Sequence, residues 1–81
     1  MNGTNLYVPI EIDKIFLKEF GRRLKKLRKE KGFSQAQLAF ESNIEISQIS
    51  RIERGLINTT IANAKNLSKT LDVNLKEMFD F

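Results

Sequence analysis

The sequence predicts an all-α fold, a compact bundle of five short helices in one small domain. Three observations carry this. Apolar residues recur at steps of three and four along most of the chain, the period of helices with one buried stripe. Helix start and stop signals punctuate those stripes at short intervals. The chain has 81 residues, enough for one core and no more.

Residues 1–12, MNGTNLYVPIEI, read as an N-terminal arm preceding a domain of residues 13–81. Leu6, Val8, Ile10 and Ile12 alternate with period two, which suits a short strand, and Pro9 restricts such a strand to a sheet edge. Asp13 is the expected N-cap of the first helix, with Ile12 and Leu17 as its hydrophobic staple. From there Leu17, Phe20, Leu24 and Leu27 form one stripe. Arg28 falls only about 20° from Leu17 on the helical wheel, at the edge of that stripe, while Lys25, Lys26 and Lys29 lie well outside it. Gly32 closes the helix.

Ser34 and Gln37 have the spacing of a capping box, with Phe33 and Leu38 at the staple positions. The second helix is expected over 35–41, followed by a break at Ser42-Asn43. Ile44 and Ile49 form a further staple around Glu45, and the third helix runs from Ile46 to about Arg54, with Gly55 as its terminator. Asn58-Thr59-Thr60 is a polar connector able to cap a fourth helix, whose buried stripe is Ile61, Ala64, Leu67 and Leu71. Asn74 and Glu77 give one more capping box, between Val73 and Met78, for a last helix ending near Phe79.

Composition narrows the function. Fourteen Lys and Arg against ten Asp and Glu give +4, and there is no His or Cys. Disulfides, thiolate metal sites and the commonest general base are excluded. No metal, cofactor or catalytic residue is expected, and the scattered acids show no convergent spacing. No apolar run approaches the roughly 20 residues of a membrane span, and no signal-peptide pattern opens the chain, so a cytoplasmic, nucleoid-associated binding domain is expected. The charge is concentrated. Residues 14–31 carry nine Lys/Arg against Glu19 and Glu30, so that segment alone holds +7. Such a distribution suits either a solvated helix face or the electrostatic footprint of a nucleic-acid binder.

Two short helices joined by a tight turn, the second ending in Gly, form a helix-turn-helix arrangement, here QAQLAFESNIEISQISRIER over 35–54. With Ile49 placed at 0° on the third helix, Ile52 and Glu53 lie within about 60° of it and face the core. Ser47 and Arg51 point away, flanked by Gln48, Ser50 and Arg54. The outward face is therefore made of hydrogen-bonding side chains without a carboxylate. An arginine at its centre can bond guanine O6 and N7 bidentately. Ile46 either touches a thymine methyl or packs back under the first helix. Gln35, with the free N–H groups of its helix N-terminus and Ser34 beside it, can hold a phosphate. Arg54 and Asn58 are further phosphate candidates. Arg28 and Glu53 are opposite charges at the edges of two buried stripes, and an ion pair between them is expected, since an unpaired buried charge is costly.

The runs LKKLRKEKG, SQAQLA and ISRIERG resemble the lambda-repressor-like Cro/C1-type helix-turn-helix domain, the family of small phage repressors, xenobiotic-response-element-type regulators and restriction-modification controller proteins. The resemblance covers residues 16–81. Asn43 stands where the family often has Gly, Glu45 where it often has Ser or Thr, and Thr59 where it often has Pro. The resemblance implies that the third helix enters the major groove of double-stranded DNA, usually from a homodimer on a palindromic operator. It also assigns a phosphate to Gln35 and an Arg–Glu pair to positions 28 and 53. A transcriptional regulator, such as a repressor, is thus the leading expectation. The alternative is the antitoxin of a toxin–antitoxin pair, holding a small partner protein on residues 6–12 or on Met78, Phe79 and Phe81. No ligand-sensing domain is visible, so no small-molecule ligand is expected. The dimer surface is expected at Leu75 to Phe81, or else through pairing of the arms.

Overall fold

A computed structural model of the protein describes residues 11–81. Among these residues there are five helices and no strand: α1 (Glu11–Glu30), α2 (Gln35–Ser42), α3 (Ile46–Glu53), α4 (Ile61–Thr70) and α5 (Leu75–Met78). The expected arm strand through Leu6, Val8 and Ile10 lies outside the described residues, while Ile12 is already helical. Glu11 and Ile12 already belong to α1, so Asp13 lies inside the helix and is not its N-cap. A carboxylate interacts favourably with the free N–H groups and dipole throughout a helix's first turn and not only at the cap, so an Asp signals that a helix start is near without fixing its first residue.

The remaining starts follow their local signals. The Ser34 hydroxyl accepts the Gln37 N–H at 3.0 Å, and Gln37 Oε1 accepts the Ser34 N–H at 2.8 Å, the reciprocal capping box. Thr60 Oγ1 accepts the Asn63 N–H, and Glu77 Oε1 accepts the Asn74 N–H. Glu45 makes no side-chain cap.

Four helices end in the same way. Gly32, Asn43, Gly55 and Asp72 have φ between 57° and 80°. In each case the next residue donates its N–H five positions back: Phe33 to Arg28, Ile44 to Ala39, Leu56 to Arg51 and Val73 to Ser68. This is the Schellman closure, whose following residue is commonly apolar. Phe33, Ile44 and Val73 each pack on the core, so the chain turns back under the helix it has just left.

α3 packs on both α1 and α2, α4 on α2 and α5, and α5 on α1. Leu24, Leu38, Ile49, Ile52, Leu67, Leu71 and Met78 are fully buried at the centre. Two expected core residues differ. Leu17 is only half-buried, and Ile61 is 81% exposed. Both lie at the outer ends of their stripes: Ile61 is the first residue of α4, with no preceding turn beneath it. Polar bonds tie the outer helices in. Arg23 Nε donates to the Glu77 carbonyl at 2.7 Å, and Asn66 Nδ2 donates to the Ser42 carbonyl at 2.6 Å.

Candidate nucleic-acid interface

α3 is the most strongly two-faced of the short helices. Ile49, Ile52 and Glu53 are buried against α1 and α2. Ser47, Gln48, Arg51 and Arg54 are exposed and Ser50 is half-buried. The five candidate base-reading residues Ile46, Ser47, Gln48, Ser50 and Arg51 therefore share the outer side of one helix. Ile46 is 49% exposed, which leaves its side chain partly free outside the core. Arg54 Nε bonds back to the Ser50 carbonyl at 3.3 Å, which lays its guanidinium along the end of α3.

The buried side of α3 carries a charge. Arg28 Nε donates to Glu53 Oε2 at 2.6 Å and Arg28 Nη2 to Glu53 Oε1 at 3.0 Å. The pair is bidentate, with only 8% and 2% of the two side chains exposed. Both groups have a further partner: Arg28 Nη1 donates to the Phe33 carbonyl, and Glu53 Oε1 also accepts Gln35 Nε2 at 3.0 Å. No buried side-chain nitrogen or oxygen among the described residues lacks a partner, as a desolvated ion pair requires.

The Gln35 bond was not legible in the sequence. Gln35 lies 18 positions from Glu53, and helical-wheel angles within one element say nothing about contacts across two. It joins the N-terminus of α2 to the buried side of α3, so the candidate phosphate residue and the ion pair form one network. Ser34 stands beside it at the surface. Asn58 lies apart from this network, exposed in the loop after α3 at the rim of an apolar groove that also includes Phe16, Ile57 and Ile61.

Apart from Arg28, the basic residues of α1 take no part in this network. Lys14, Lys18, Arg22, Lys25, Lys26 and Lys29 are exposed. Arg22 and Glu19 form a surface pair at 3.2 Å, of little energetic weight. The cations supply a field, whereas α3 and the start of α2 supply directed hydrogen-bond donors. Among the described residues no helix is long and apolar enough to cross a membrane, and no group of His, Cys, Asp and Glu could hold a metal ion.

A family model described as helix-turn-helix matches residues 24–78. The HTH-type transcriptional regulator SlrR of Bacillus subtilis (strain 168) is 46% identical over 61 residues, which is 74% of this chain and 40% of SlrR. The chain thus spans less than half the length of that relative. Among solved structures, the restriction-modification controller protein C.AhdI from Aeromonas hydrophila superposes with a TM-score of 0.80 at 39% identity, over 82% of this chain and 96% of that one. SinR, described as the master regulator for biofilm formation and solved in complex with DNA, superposes with a TM-score of 0.72 at 39% identity, over 75% of this chain and 98% of that one.

Proposed function

The chain belongs to the Cro/C1-type helix-turn-helix family, and from that premise we propose that it is a sequence-specific DNA-binding transcriptional regulator acting as a homodimer on a palindromic operator. The observation that carries the reading is the outer face of α3: exposed Ser47, Gln48, Arg51 and Arg54 with no carboxylate among them, mounted on a helix whose other side is locked to α1. In this reading α3 lies in the major groove. Arg51 bonds guanine, Ser47, Gln48 and Ser50 bond neighbouring base edges, and Ile46 meets a thymine methyl. Ser34 and Gln35 at the start of α2, with Arg54 and Asn58, hold phosphates and set the register. The Arg28–Glu53 pair, buttressed by Gln35, fixes the rotation of α3. Acting on DNA, the protein works in the cytoplasm. The SinR–DNA complex supports this by analogy. The antitoxin alternative gains no support from the relatives.

The dimer surface we favour is the face where α1 meets the C-terminus. Phe16 packs on Phe79 and Phe81 with ring centroids 6.4 Å and 5.4 Å apart, yet all three rings remain 43–50% exposed. Beside them, the groove lined by Phe16, Ile57 and Phe79 borders the protruding Ile61. An exposed apolar residue on the wall of a groove can fit the same groove of a second copy across a two-fold axis, the kind of self-complementary patch an isologous interface needs. The test is binding to a duplex selected from a random pool: a palindromic site taken up by two chains is expected, and a single chain on a non-palindromic site would overturn the dimer.

A further inference from the structure

Gly21 lies in the interior of α1, where glycine is unfavourable relative to alanine, and it is buried. A Cβ built on it would stand 2.4 Å from the Ile52 carbonyl oxygen, 2.5 Å from the Glu53 carbonyl oxygen and 2.8 Å from the Glu53 carbonyl carbon. Ordinary van der Waals contact begins at 3.4 Å, so a methyl group there must part α1 from the end of α3 by roughly 1 Å. The obstructing atoms are backbone, and no rotamer change relieves them. Gly55 continues the seam. It has φ 72°, and a Cβ on it would lie 2.7 Å from Lys18 Cα, one turn before Gly21 on α1. α1 and the end of α3 thus approach closely at two points, main chain against main chain at Gly21, and Gly55 against the backbone and Cγ of Lys18.

We infer that Gly21 is a positioning residue for DNA reading: it sets the depth at which α3 sits against α1, and so how far Ser47, Gln48 and Arg51 stand out from the phosphate-facing start of α2. The inference rests on the proposed DNA-binding function. The Arg28–Glu53 pair has a different task. Two long side chains can follow a small separation by changing rotamer, so they orient α3 without fixing its distance. The glycine contact is a hard wall between main chains. A shift of α3 by roughly 1 Å takes base-edge hydrogen bonds outside their range of about 2.7–3.2 Å, while electrostatic attraction to phosphates hardly changes.

The experiment compares the parent with Gly21→Ala on two duplexes of equal length: the one the parent selects from a random pool, and an unrelated one. Both proteins are measured at a temperature where circular dichroism shows them fully folded. Affinity for the selected duplex is expected to fall roughly ten- to hundred-fold, the equivalent of about one misaligned base contact. Affinity for the unrelated duplex and the slope against salt should stay within about twofold. Thr70→Gly, on α4, which packs on α2 and α5, controls for destabilisation; it should lower the melting temperature and leave the ratio of the two affinities unchanged. A folded Gly21→Ala with the parent's ratio, or with equal losses on both duplexes, overturns the inference. If Gly21→Ala does not fold, Gly55→Asn decides by the same ratio. Asparagine tolerates the left-handed backbone, and its Cβ presses on Lys18 from the other side of the seam. A parent that selects no duplex overturns the DNA-binding reading, and this inference with it; a parent that selects one while the variants keep its ratio overturns the inference alone.

Discussion

Truncating Glu53 tests how α3 is held. Glu53→Ala removes two charge-assisted bonds from Arg28 and one bond from Gln35. It leaves a guanidinium 8% exposed with the Phe33 carbonyl as its one remaining partner. An uncompensated charge in such a place costs about 3–5 kcal/mol. A domain of this size has a total stability of about 4–12 kcal/mol, so a large part of the margin is lost. Urea unfolding followed by circular dichroism measures it: with a slope of about 1–1.5 kcal/mol per molar, the midpoint drops by roughly 2–5 M. The double variant Arg28→Met/Glu53→Leu removes both charges and should recover most of the loss, because the desolvation cost goes with them. Its binding to a selected duplex should remain impaired, since α3 has lost its rotational anchor. A loss below about 1 kcal/mol for Glu53→Ala, the value of an exposed pair, would refute the argument that this pair is buried and mutually required.

Arg51→Ala should weaken binding to the selected duplex by about 1–3 kcal/mol and relax preference at one base pair per half-site, measured by repeating the selection with the variant. Neutralising Lys25 and Lys29 together should lower affinity for all duplexes alike, with a salt slope about two units shallower at most, measured by titration at several salt concentrations. Asn43→Ala should destabilise by about 1 kcal/mol, because alanine pays the full cost of the left-handed backbone that Asn43 adopts, again read from urea unfolding. Ile61→Asp should shift the protein toward monomer in sedimentation equilibrium without lowering its melting temperature by more than a few degrees, since its side chain is 81% exposed.

Much of the fold was legible because helix ends carry local chemistry. Ser34 with Gln37, and the glycines at 32 and 55, act within one turn of themselves. Asn43 shows how far this extends: it occupies a turn position where glycine is usual in the family, and the backbone still adopts φ 57° there, as asparagine permits. The start of α1 was less legible, since Asp13 is favourable anywhere in a first turn. The ion pair could be inferred because two opposite charges stood where apolar residues belong. Ile61 was misplaced because periodicity assigns a face without knowing what lies opposite it. The bond from Gln35 to Glu53 and the close approach at Gly21 depend on how separate helices meet, which no single-helix pattern records.

The most direct measurement is selection of duplexes by the parent protein from a random DNA pool, followed by the same selection with Ser47→Ala and Arg51→Ala. The expected result is a palindrome whose half-sites are centred one helical turn apart, about 34–36 Å, with each variant relaxing preference at its own position in both halves. Recovery of no common sequence, or of a site whose preferences neither substitution alters, would contradict the assignment of the outer face of α3 as the surface that reads DNA.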